Sequence, residues 1–165
     1  MCLLASAAAA NPPHGQFGHP ASLEEIAAED IDVRADGAGL PPGSGSVAQG
    51  EAVYAAVCAG CHGVHGQNPI SAALRLNGGQ GTLATAGAIP TVGSYWPYAT
   101  TLFDYIRRAM PFNAPQSLTP DQVYAVSAYV LHLNGIVPDG AVLDAAALPR
   151  VVMPNRNGFV PVYAP

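Results

Sequence analysis

Cys58-Ala59-Gly60-Cys61-His62 constrains this 165-residue chain more than any other feature of it. Two thiols one helical turn apart, followed at once by an imidazole, form the C-x-x-C-H pattern of covalent haem attachment. The thiols of Cys58 and Cys61 can add to the two vinyl groups along one haem edge, and His62 can then present its ring to the iron as proximal ligand. Gly60 in the spacer keeps the turn close to the porphyrin. A thioredoxin-type use of C-x-x-C needs a βαβ setting, which the apolar pattern of this chain lacks. A zinc site would want a second Cys or His pair, and His65 could join His62 only by crowding the same loop.

A covalent haem also accounts for the composition. Half of the residues count as hydrophobic, but 30 of them are Ala, so large core-formers are scarce. Charged residues make up 10%, against roughly 25% in an average soluble protein. Gly (18) and Pro (16) are abundant, which reads as a loop-rich chain. A haem supplies the large apolar body that such a chain can surround. The formal charge of −5 excludes the basic footprint of a nucleic-acid binder. No apolar run approaches the roughly 20 residues of a membrane span. A surface so poor in charge points to cover by a partner or by the chain's own tails.

Four zones follow. Residues 1–10 read as the remnant of a secretory signal peptide, which places the protein in the periplasm. Residues 11–45 form an extended, acidic N-terminal arm with one helical patch at about Leu23 to Ala28. Residues 46–135 form the haem domain, and 136–165, with five prolines, form an extended C-terminal strap. Within the domain, Ser46 caps a helix over 46–58 whose Val47, Gly50, Tyr54 and Val57 share one face. A second helix spans about 98–109, with Leu102, Phe103, Ile106 and Met110 at amphipathic spacing. Thr119, Pro120 and Asp121 start a third, and Gly135 ends it, with Val123, Val126, Val130 and Leu133 as its apolar stripe. The 40-residue stretch between the first two helices has one short helix near Ser71 to Leu76 and otherwise wraps the haem.

The sixth iron ligand separates an electron carrier from a catalyst. Met110 is the best placed of Met110, Met153, His14, His19, His65 and His132. It ends an amphipathic helix, and Pro111 forces the chain to turn there. A Met/His pair raises the reduction potential and suits electron transfer. Met153 reads as an anchor of the strap. His62 also needs an acceptor for its other ring nitrogen, and Pro69 would fix a suitable carbonyl. Tyr95 and Trp96 are either donors to a haem propionate or plain aromatic packing. Arg75, Arg107 and Arg108 are the cations near the pocket.

The motif, Pro69, Met110-Pro111 and the helix from Asp121 to Leu133 resemble class I cytochromes c. A narrower resemblance runs through Glu25-Ile26-Ala27-Ala28, Asp30-Ile31-Asp32-Val33, Thr91 to Thr101, Arg108 to Pro111 and Met153-Pro154-Asn155-Arg156. These segments are similar to the cytochrome subunit of sulfur dehydrogenase in the bacterial Sox thiosulfate-oxidising system. The resemblance implies a mainly α, class I cytochrome c fold of three to four helices around one covalently bound haem, with long irregular arms. It further implies one haem c on Cys58 and Cys61, His62 and Met110 as iron ligands, and no catalysis by the chain itself. The implied partners are a sulfite-oxidase-like molybdenum-cofactor subunit, which oxidises protein-bound sulfane sulfur, and a small c-type cytochrome that accepts the electrons. Other readings are the cytochrome of a sulfite dehydrogenase, a free diffusible carrier, or a haem peroxidase or gas sensor in which Met110 fails to bind.

Overall fold

A computed structural model describes residues 18–70, 74–160 and 162. The leader zone 1–10, His14, and residues 71–73 of the expected short helix lie outside the described residues. Contacts divide the chain into two units between Ile31 and Asp32.

In the first unit the acidic patch forms helix α1, Leu23–Glu29. Ser22 and Glu25 close a reciprocal capping box, with Glu25 N–H donating to Ser22 Oγ at 3.2 Å and Ser22 N–H to Glu25 Oε2 at 2.7 Å. These two local bonds start a helix of only seven residues, none of which is buried.

The second unit is mainly α. Strand β1 (Ser44–Ser46) leads into α2 (Val47–Val57), and α3 (Ala59–His62) follows directly. Then come α4 (Ala99–Ala109), α5 (Pro120–Leu133) and strand β2 (Val142–Asp144). The two strands pair antiparallel with Gly45 opposite Leu143. Ser46 caps α2 through a box with Gln49, and Thr119 caps α5 through one with Gln122, both as the local sequence dictates. Leu74 to Leu76 form no helical turn, so the described part of the expected short helix is irregular.

Helix α5 is the axis of this unit. Every residue from Val123 to Leu131 is buried, not only a stripe, because α2, α4 and β1 all pack on it. The closest approach is where α2 crosses it at Gly50. A Cβ there would overlap the Ala125 carbonyl and come within 2.8 Å of the Tyr129 Cβ, so this crossing needs glycine. Just beyond, the rings of Tyr54 and Tyr129 stack tilted at 5.3 Å. Val47, Gly50 and Tyr54 are buried as their shared face requires, but Val57 is 42% exposed, since α2 has already passed α5 at that point. Helix α4 adds Leu102, Phe103 and Ile106, with Phe103 against Tyr124 at 4.5 Å.

Segments outside the helices are tied to the same core. Val33 N–H donates to the buried Asp104 carboxylate at 3.0 Å, Thr100 Oγ1 to the Ala35 carbonyl at 3.3 Å, and Tyr124 OH to the Pro41 carbonyl at 2.8 Å. Past α5, the chain buries Leu143, Leu148 and Met153 at every fifth residue. Each such side chain contributes about 1.5–3 kcal/mol of burial.

Candidate haem-attachment site

The motif lies at the junction of two helices. Cys58 closes α2 by donating its N–H to the Tyr54 carbonyl at 2.9 Å. Its own carbonyl opens α3 by accepting from Cys61 N–H (3.1 Å) and His62 N–H (2.9 Å). Gly63 ends that turn at φ +76°, and a Cβ there would overlap the Gln67 carbonyl, so no other residue fits. A Cβ at Gly60 would meet nothing within 4 Å, leaving open space over the spacer. Cys58 is half-buried and Cys61 exposed, and both are free. Burial, and then the neighbouring Cys61, pushes the Cys58 thiol up to about 11. At neutral pH Cys58 therefore keeps its proton.

His62 is oriented by the loop that follows. Its Nδ1 lies 2.7 Å from the Leu74 carbonyl oxygen. A carbonyl can only accept, so Nδ1 carries the proton and the Nε2 lone pair is left for a ligand bond. The acceptor is thus twelve residues past the ligand, and the expectation that Pro69 fixes this carbonyl is corrected: Pro69 is half-buried between motif and acceptor and does not supply it.

Two tyrosines from the α2–α5 crossing hold the turn from behind. Tyr54 OH donates to the Gly63 carbonyl at 2.9 Å, and Tyr129 OH meets His65 Nδ1 at 3.1 Å. Burial, and then the Cys58 beside it, pushes the Tyr54 hydroxyl up to about 12, so it remains a donor. Asn134, at the end of α5, pins the stretch after Leu74. Its Nδ2 donates to the Leu76 and Val130 carbonyls, both at 2.9 Å, and its Oδ1 accepts from Gly78 N–H at 3.2 Å. Thr91 Oγ1 donates to the Gly78 carbonyl from the other side. An open cleft of about 590 Å³, lined by Gln80, Asn134, Met153 and Arg156 among others, shares no residue with the motif.

The other expected site residues are placed as follows. Met110 caps α4 with extended backbone (φ −121°, ψ 146°), half-buried against the core. Met153 is sealed in the core at 1% exposure. His132 Nδ1 faces the Val137 carbonyl at 3.3 Å and its Nε2 lies 4.0 Å from Asp139. His19 sits 3.6 Å from Glu25 within the first unit. Trp96 packs edge-on against Tyr105 at 5.7 Å, and Tyr95 against Phe159 at 5.2 Å. Arg108 pairs with Asp104, its Nε donating to Oδ1 at 2.9 Å, and lies 3.8 Å from Asp32.

Paired free thiols one turn apart, a histidine whose distal nitrogen is unengaged among the described residues, and a loop pinned around them suit haem c, and together with the helix crossing they define a c-type cytochrome. Residues 45–130 match the family described as cytochrome c oxidase, cbb3-type, subunit III, and the chain belongs to that family. A chain in the crystal structure of the sulfane dehydrogenase SoxCD from Paracoccus pantotrophus is 44% identical, with a TM-score of 0.82, over 88% of this chain and 71% of that one. No curated protein matches. The family assigns the chain to electron-transfer cytochromes and implies haem c as its cofactor.

Proposed function

We propose that this chain is the cytochrome subunit of a sulfane dehydrogenase, carrying a single haem c in the periplasm. It accepts electrons from a molybdenum-cofactor subunit and passes them to a small c-type cytochrome. The observation that carries this reading is the extent of the likeness to the SoxCD chain. It covers 88% of this chain, well beyond residues 45–130 of the family match, so it takes in segments that a free carrier has no need of.

Bound through Cys58 and Cys61, haem c supplies a one-electron ferric–ferrous couple. His62, locked by Leu74, would give one iron ligand. Met110 would give the other: it stands at the C-terminal end of α4, half-buried against the core, whereas Met153 is sealed inside it. A thioether held by a helix end and a histidine held by a carbonyl need little rearrangement between oxidation states, which suits a carrier. Trp96 and Tyr95 are assigned to the haem edge beside their ring partners.

The test is to mature the full chain with a haem-attachment system, count haem by pyridine haemochrome, and mix it with the molybdenum subunit and its sulfane substrate. One haem per chain, a near-infrared Met-to-iron band, co-purification and haem reduction are expected. A chain that stays oxidised and alone sinks the dehydrogenase reading, and a high-spin ferric spectrum sinks the carrier reading.

A further inference from the structure

We propose that Asp104 is a positioning residue for the sixth iron ligand: with Arg108 and residues 32–35 it splints helix α4 and so holds the turn from which Met110 leaves. This rests on the reading of Met110 as that ligand. The starting observation is a polar stripe set into the packed side of a helix. Thr100, Asp104 and Arg108 stand one turn apart on one face of α4, and the first two are buried at 1% and 8% exposure. Residues 32–35 run antiparallel beside them and meet each in turn. Thr100 Oγ1 donates to the Ala35 carbonyl at 3.3 Å, Val33 N–H donates to Asp104 Oδ1 at 3.0 Å, and Arg108 lies 3.8 Å from Asp32. Along the helix, Arg108 Nε donates to Asp104 Oδ1 at 2.9 Å and its Nη2 donates to Oδ2, a two-bond fork.

What the stripe braces is the end of α4. Met110 N–H donates to the Ile106 carbonyl at 3.1 Å, and the chain then leaves in extended conformation. Pro111 has no N–H with which to continue the ladder. A last turn closed in this way leaves carbonyls without helical partners and frays unless side chains hold it. Arg108 sits in that turn, two residues before Met110, and its fork ties it back to the turn before. The same carboxylate accepts from Val33, 71 positions away in the sequence, so the brace is anchored outside the helix it holds. An ion pair set into a packed face adds little net stability over an apolar pair, but its directed bonds fix geometry. Fixed geometry is what a thioether needs, because a long, neutral, flexible side chain returns to one place only from a steady backbone.

The test uses the haem-loaded full chain and measures how firmly the thioether holds ferric iron against added imidazole, with loss of the near-infrared band reporting its displacement. Asp104→Asn keeps an acceptor for Val33 but breaks the ionic fork, and Arg108→Gln breaks it from the half-exposed side. In each, the apparent affinity for imidazole should rise about tenfold, equal to about 1.4 kcal/mol. Both changes remove the same pair, so the double variant should show no more than the larger single effect. Tyr124→Phe removes the bond to the Pro41 carbonyl and leaves the fork intact, so it lowers stability while its imidazole affinity should match the wild type's. An affinity unchanged in Arg108→Gln, single effects that add in the double variant, or an equal rise in Tyr124→Phe overturns the proposal. If Asp104→Asn does not fold, Arg108→Gln against Tyr124→Phe still decides. A wild-type haem without the near-infrared band would instead overturn Met110 as ligand, and the brace with it.

Discussion

Gly50→Ala asks whether the helix crossing is what holds the attachment motif in place. The added Cβ would overlap the Ala125 carbonyl and stand 2.8 Å from the Tyr129 Cβ. The first obstacle is backbone and the second is the root of a ring, so neither can swing aside and the helices must part. Overpacking of this kind costs about 1–3 kcal/mol. Parting the helices also stretches the Tyr54–Gly63 and Tyr129–His65 bonds, at about 0.5–1.5 kcal/mol each. Against this, alanine is favoured over glycine in a helix interior by about 1 kcal/mol. The net expectation is a loss of about 1–5 kcal/mol, centred near 3, a large share of the 5–15 kcal/mol typical of a domain. Guanidinium unfolding of the haem-loaded chain, followed by far-ultraviolet circular dichroism, should show the midpoint falling with little change in m. A variant as stable as the wild type, or more stable through its better helix propensity, refutes the crossing as the tight point.

Asn134→Ala removes the donors to Leu76 and Val130 and the acceptor of Gly78, and should cost about 2–4 kcal/mol. Amide exchange at Gly78 should accelerate, and unchanged exchange there would show that the loop is pinned elsewhere. Met153→Ala should cost about 2–5 kcal/mol through the cavity it leaves yet keep the near-infrared band, whereas Met110→Ala should lose the band. The reverse pattern would exchange their roles. Tyr54 and Tyr124 are both pushed up to about 12, mainly by burial, from near 10 in the unfolded chain. The unfolded chain releases these protons first, so their contribution is intact below pH 10 and is lost as pH rises towards 12. The slope is at most about 1.4 kcal/mol per pH unit for each group. Stability that stays flat between pH 10 and 11.5 in urea titrations would count against both.

The readable parts of this molecule were those whose cause is local. A capping box needs residues three apart, so Ser46 with Gln49 and Thr119 with Gln122 announce their helices in the sequence. The attachment motif is five adjacent residues. What holds the motif could not be read in the same way. Leu74 acts through its carbonyl, which every residue has, so its identity carries no signal and Pro69 drew the expectation instead. Tyr129 meets His65 across 64 positions and Asn134 meets Leu76 across 58, separations that only the fold closes. The stripe on α5 was correctly periodic but too narrow. Alanine and serine at 125, 127 and 128 look neutral in a pattern yet are all buried, and at Ala125 the small side chain is what lets Gly50 of α2 and Gly45 of β1 approach.

That small size explains why the C-terminal segment belongs to the core. A Cβ on Gly45 would overlap the Ala125 backbone, so β1 lies flat on α5, and β2 pairs with its other edge. Close backbone contact of this kind saves space but buries little side-chain area. The missing area comes from Leu143, Leu148 and Met153, all outside residues 45–130 of the family match. Asn155 continues the attachment by donating to the Tyr95 carbonyl at 2.7 Å, and Arg156 covers Tyr98, where α4 begins. The change of composition after Gly135 is therefore not a change of packing. A chain rich in alanine needs these residues to complete its interior, and the same residues steady the helix that ends at Met110.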